Sequence, residues 1–495
     1  MSPKLRALFI VPVIIILFGF TALAQEWNPF ASLDGRSHEA HPPSYGMVRR
    51  EIADQPVILE AETPAVEITV TVTATAVSTG KGVAADFTPT PLPELIETTP
   101  VTPTVSPEVY ALQLKVFEEL WETVRENYLY TDYNGIDWQA THNEYLQKLG
   151  SGLSDDVFYT ALQEMVYLLG DDHSVYLSPQ DVAEEEAQFS GNQNFVGVGF
   201  LLSPVPERQR ATVLLTFPGS PAEEGGISSR DSVLAVDGQP VLDENDRIRN
   251  IIRGPEGTPV MLTIQTPGGE PRDLTLVRRR ITGPIPVPYK VITGPGGQRV
   301  GYILLVTLAD GTADDQVQAA LEAMNAEAHL DGLIIDNRQN EGGTDTVLRG
   351  ILAYFTGGQL GSFTSRAAER PLHVWPEDVS GSQDLPLVVL VGPNTVSYGE
   401  VMSGVLQDSG RAYLIGETTD GNVETLLGYN FSDGSRAWIA HDSFRPQFHP
   451  EQDWEKNGIQ PDLIVTANWD EFTLETDPVI LAATEHLFPG AGLEK

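Results

Sequence analysis

The stretch Pro386–Thr425, PLVVLVGPNTVSYGEVMSGVLQDSGRAYLIGETTDGNVET, decides how this chain is read. Its apolar run Leu387–Val391 predicts a buried strand, Tyr398–Gln407 a helix, and Ala412–Ile415 a second strand. Ser397 stands at the turn between strand and helix. The first N–H groups of a helix have no partner within it and can receive an oxyanion, so a serine there suits a nucleophile. Ser397 and Glu400 also form S-x-x-E, a capping box that involves no chemistry.

Upstream of this stretch, strand and helix patterns alternate from Val300 onward, an α/β core spanning 284–490. VGYILLVTL reads as a strand and DDQVQAALEAMNAEA as a helix; LIID, apolar on both faces, is a buried strand. The turn after LIID carries Gly342 and Gly343, where the missing Cβ lets backbone approach a substrate. Downstream, an apolar helix is expected near Pro478–Leu487. The β-rich region 190–283 resembles a PDZ domain. Its Gly197-Val198-Gly199-Phe200 run matches the loop that holds a peptide carboxylate in such domains, and the next strand would accept an added strand.

Region 108–188 reads as a small helical module, with Leu114, Phe117, Leu120, Trp121 and Val124 marking the core face of its first helix. It ends in Asp171-Asp172-His173-Ser174. Residues 25–107 are rich in Thr, Pro, Val, Ala and Glu and read as a disordered stalk. Within it VEITVTVTATAV alternates like a strand, and His38 and His41 lack the further ligands a metal needs. Residues 1–24 have the basic start, apolar run and Ala22-Leu23-Ala24 ending of a secretory signal, cleaved before Gln25. The same run is long enough to serve, uncleaved, as a membrane tether.

The formal net charge of −39 argues against nucleic acid as a partner, since phosphate binding needs clustered Lys and Arg. It fits an extracytoplasmic protein, secreted or associated with the cell envelope. The chain has no cysteine, which excludes disulfides, thiolate nucleophiles and Cys-ligated metals.

Taken together, D-x-H-S, the PDZ-like module, I-I-D-N-R-x-N-x-G-G, P-N-x-x-S-x-x-E and G-I-x-P-D resemble the C-terminal processing (tail-specific) serine protease family, including its tricorn-like branch. The resemblance spans Glu108–Val465. It implies an α/β multidomain protein: a β/α core of the ClpP–crotonase-like type with a helical module and a PDZ domain. It also implies an endopeptidase acting on polypeptides through their C-termini, with no cofactor or metal. Processing proteases activate the serine with a lysine that falls here on Asn422, and an amide cannot act as a base. After Lys290 only Lys456 and Lys495 remain. The tricorn-like branch instead pairs its serine with a histidine and a glutamate, which match His173 and Glu455; Asp453 is an alternative acid. By the same resemblance the N–H of Tyr398 and that of Gly342 or Gly343 form the oxyanion hole, Ser174 assists the histidine, and Asp408 has an orienting or structural role.

Three other readings compete. A catalytically inactive member would bind peptides or an apolar ligand, as retinoid-binding relatives do. An esterase or amidase would use the same triad on a small molecule. A zinc enzyme on Asp171, Asp172 and His173 lacks any H-E-x-x-H or comparable ligand set.

Overall fold

Helix formation begins where proline and serine permit it. Ser106 caps α1 (Pro107–Asn127) by accepting from Val109, with Pro107 in the first turn where its missing N–H costs nothing. The computed structural model describes residues 105–490 apart from 151, 172 and 190–192. The expected signal and stalk, with its alternating stretch, and His38 and His41 lie outside these residues. Among the described residues no helix is long and apolar enough to cross a membrane.

Helix α1 is followed by α2 (Trp138–Leu149), α3 (Asp155–Tyr167), β1 (Val175–Leu177) and α4 (Pro179–Phe189). The buried stripe of α1 is Val116, Phe117, Leu120 and Val124, while Leu114 and Trp121 are only partly buried. These helices do not close on themselves. Their core is completed by Phe431, Ala437, Ile439 and Ala440 from the far end of the chain, and β1 pairs antiparallel with that same segment, at Val175 with Trp438.

The next region contains β2 (Gln193–Gly197), β3 (Phe200–Val205), β4 (Arg210–Thr216), α5 (Pro221–Glu224), β5 (Ser232–Val236), β6 (Gln239–Pro240), β7 (Pro259–Gln265), β8 (Arg272–Val277) and β9 (Arg279–Gly283). Strands run in the order β3-β4-β5-β7-β8 around an apolar core of Val213, Val233, Leu262 and Ile264. β3 lies at one edge of that sheet, and β2 pairs separately with β9.

The rest comprises β10 (Tyr289–Thr293), β11 (Arg299–Leu304), α6 (Ala313–Asn325), β12 (Gly332–Asp336), α7 (Asp345–Phe355), β13 (Gly358–Thr364), β14 (Glu369–Val374) and β15 (Leu387–Val391). It continues with α8 (Tyr398–Asp408), β16 (Tyr413–Gly416), β17 (Thr425–Asn430), β18 (Arg436–Pro446), α9 (Trp454–Asn457), β19 (Leu463–Ile464) and α10 (Pro478–Leu487). The central sheet has the order β10-β11-β12-β15-β16-β19, parallel from β11 to β19 with β10 antiparallel at the edge. Both faces are covered, as a parallel sheet requires. Leu333, Ile335, Val389 and Val391 face α6, α7 and α8; Ile334, Val388 and Leu390 face α10. A second sheet, β1-β18-β13-β14 with β17 on β18, links this core to the helices at the start of the chain.

Buried charges tie β12 to its surroundings. Arg338 donates to Asp336 and Asp477, and Arg230, from the β-rich region, donates to Asp477 at 2.8 Å and lies 3.7 Å from Asp336. The Arg230 guanidinium also stacks 4.0 Å from the Trp469 ring centre.

Candidate active site

Strand β15 delivers the chain to a tight turn, and Ser397 occupies its last position before α8 with φ +55 and ψ −129. A serine at positive φ is strained, and such strain persists where the surrounding structure imposes it. The capping-box reading fails here. The Ser397 side chain makes no cap bond, and Glu400 turns away to accept from Thr419, from Gly421 N–H at 2.9 Å and from Asn422 N–H at 2.8 Å.

The glycine turn after β12 faces this serine. A Cβ built on Gly342 would sit 3.0 Å from both Ser397 Oγ and Tyr398 N, and 2.7 Å from Ser397 Cβ. Gly342 itself has φ +84. Its N–H donates to Asn340 Oδ1 at 2.9 Å. The N–H groups of Gly343 and Tyr398 donate to no described residue.

His173 follows α3 and is 8 % exposed. Its Nε2 lies 2.9 Å from Glu455 Oε1, a contact between residues 282 positions apart. Asp171 shapes the approach: its carboxylate accepts from His173 N–H, Ser174 N–H and Ser174 Oγ. Ser174 Oγ in turn accepts from Ala440 N–H at 3.0 Å, so it pins this loop to β18 and makes no bond to the imidazole. Glu455 sits on α9, where its Oε2 accepts from Val423 N–H at 2.7 Å and Glu424 N–H at 3.1 Å. Asp453 is occupied as the cap of α9, accepting from Lys456 N–H. Asp408 also lies apart: it accepts from Phe448 N–H and pairs with His449 Nδ1 at 2.7 Å. No hydrogen bond joins Ser397 to His173, whose Nδ1 is buried without a partner.

Electrostatics favour positive charge around His173. Burial by itself disfavours the imidazolium, but the hydrogen bond and charge of Glu455, with Glu424 and Asp171 beyond, outweigh it and raise the pKa above the ordinary histidine value. Glu424 escapes a sequence reading, because GNVET reads as a loop and gives no sign that its acid is buried. Burial and the neighbouring Glu455 push Glu424 up to about 7, and the Tyr130 hydroxyl donates to its Oε1. His173, Glu424 and Glu455 each bring a donor atom within 4.8 Å of the others.

Comparison with known proteins places these features in a family. Residues 299–465 match peptidase family S41, 114–167 the tricorn protease C1 domain and 218–266 a PDZ domain. The carboxyl-terminal-processing protease of Picosynechococcus is 30% identical over 366 residues, covering 70% of this chain and 82% of that protein. The chain belongs to the carboxyl-terminal-processing protease family. A second such protease, from Synechocystis, is 29% identical over 396 residues, 79% of this chain and 90% of its own. An S41-type protein from Bacteroides fragilis shares the fold, with a TM-score of 0.50 at 16% identity over 74% of this chain and 96% of that one. The processing-protease architecture, α/β and multidomain with a PDZ module, is thus the one expected from the sequence.

Proposed function

We propose that this chain is an exported serine endopeptidase that cleaves polypeptides through Ser397, His173 and Glu455, its PDZ module recognising or gating substrate C-termini. The observation that carries this reading is the His173–Glu455 contact at 2.9 Å, with Glu455 itself fixed by two backbone N–H groups. Glu455 orients the imidazole on one side and leaves Nδ1, the uncommitted nitrogen, to take a proton.

Ser397 Oγ attacks the scissile carbonyl, His173 accepts its proton, and Glu455 stabilises the imidazolium. The proton then passes to the leaving amine, and water repeats the sequence to release the acyl group. The Ser397–His173 hydrogen bond forms on engaging substrate, as catalytic hydrogen bonds often do. The negative oxygen is received by the N–H groups of Tyr398 and Gly343, which are uncommitted. Gly342, whose N–H is held by Asn340, contributes the space rather than a donor. Asn422, at the position of the usual lysine, anchors its loop through Glu400 and takes no part in proton transfer. For the PDZ module, support comes from the N–H groups of Val198 and Gly199, which donate to no described residue, and from the edge position of β3. Export rests on residues 1–24, and an N-terminus beginning at Gln25 in secreted protein would be its signature.

Fluorophosphonate labelling of the full chain tests the triad. Labelling of Ser397 should be lost in Ser397→Ala, fall sharply in His173→Ala and Glu455→Ala, and gain nothing from Asn422→Lys. Folded protein that never labels, yet still binds peptide, would point instead to a peptide-binding member without activity, the reading that Asn422 favours.

A further inference from the structure

Glu424, a buried acid beside His173, has no role in the proposed peptidase mechanism. Glu424 is 3 % exposed and His173 8 %, and Glu424 Oε2 is buried without a hydrogen-bond partner beside the Nε2 edge of the imidazole. We propose that His173, Glu424 and Glu455 form a binding site for a divalent transition cation of the zinc class, which takes the imidazole out of use as a base.

The geometry is close to what such an ion requires. Bonds of about 2.0–2.2 Å place neighbouring ligand atoms roughly 3–3.5 Å apart. His173 Nε2 and Glu455 Oε1 already stand 2.9 Å apart, and the three donor atoms fall within 4.8 Å. Glu455 is held by the N–H groups of Val423 and Glu424, so its Oε1 keeps facing the imidazole. The Tyr130 hydroxyl occupies Glu424 Oε1 and leaves Oε2 as the available ligand. A modest rotation of Glu424 closes the set, with the remaining position open to water.

Charge points the same way. Among the described residues neither Glu424 nor Glu455 is ion-paired with a lysine or arginine, and Asp171 adds a further carboxylate beside the site. A dication would offset this surplus of carboxylate charge. One imidazole with two carboxylates suits zinc or cobalt, whereas calcium and magnesium prefer oxygen ligands alone. Binding of the ion does not depend on the proposed activity; its inhibitory consequence does.

The test uses the full chain, stripped with EDTA and titrated with Co²⁺ by visible absorption and with Zn²⁺ by calorimetry. The expected result is one ion per chain, with affinity at least about tenfold weaker in both Glu424→Gln and His173→Gln. Zinc should also slow fluorophosphonate labelling of wild-type Ser397. Absence of stoichiometric uptake by folded wild type, or equal affinity in either folded variant, overturns the site. No uptake with His173-dependent labelling intact sinks the metal site and leaves the peptidase reading standing. Uptake that needs Glu424 in a protein whose Ser397 never labels upholds the site and removes only the inhibitory role.

Discussion

Ser397 holds a backbone conformation that a side chain resists, and that resistance is measurable. At φ +55 and ψ −129 the strain is on the order of 1–3 kcal/mol. Ser397→Gly is therefore expected to be more stable than Ser397→Ala by about 1 kcal/mol in denaturant unfolding, although neither labels; equal stabilities would show that the turn imposes no strain. Gly342 makes the complementary prediction. A methyl group there would stand 2.7 Å from Ser397 Cβ, in the space assigned to the oxyanion. Gly342→Ala should reduce peptide hydrolysis by about 10²–10³ while the far-ultraviolet circular dichroism stays native. Activity within a factor of a few of wild type would mean that the oxyanion sits elsewhere.

A buried acid on α8 anchors the loop between β16 and β17. Glu400 is fully buried, and burial pushes its pKa to about 7 even though Thr419, Gly421 and Asn422 all donate to it. Its folded pKa lies above an unfolded value of about 4.3, so the folded state favours the protonated form. The stability this provides is complete below about pH 4 and is lost as pH rises toward 7, a fall on the order of 3 kcal/mol. Glu400→Gln should flatten the stability profile between pH 5 and 7, as read by urea unfolding at each pH. An unchanged slope would remove Glu400 as its source.

Elements with a strong local pattern are legible in the sequence. Leu387–Val391 and Pro478–Leu487 form with the bounds their patterns predict, because apolar runs and flanking turn residues are local signals. The partner of the helical module is not legible: nothing in α1 or α3 names β18 as the surface that completes their core. Pairing across such sequence distances leaves no local trace. For the same reason Glu424 reads as one more acid in a loop, and the S-x-x-E pattern offers a cap that the folded turn does not use. The resemblance singles out His173 and Glu455, but only the fold places them in contact.

At the scale of the whole molecule, Arg230 fastens the β-rich region to the core. It shares Asp477 with Arg338 and stacks on Trp469, all in a buried setting. Removing one partner from a buried charge network leaves the others uncompensated, typically at about 3–5 kcal/mol. Arg230→Ala should lower the thermal midpoint and expose the segment around β9 to limited proteolysis before the central sheet yields. Simultaneous loss of both would mean that the two regions unfold as a single cooperative unit.

Strand β1 lies beside β18, so the loop carrying His173 is seated by residues synthesised long after it. With the roles proposed for His173, Ser397 and Glu455, an unfinished chain emerging from the ribosome is harmless: it has made its base but not the acid that orients it. Hydrolytic competence then arrives only when β18 has paired with β1 and Glu455 has reached His173. On those proposed roles, topology alone keeps an incomplete chain inactive until β18 and α9 are in place.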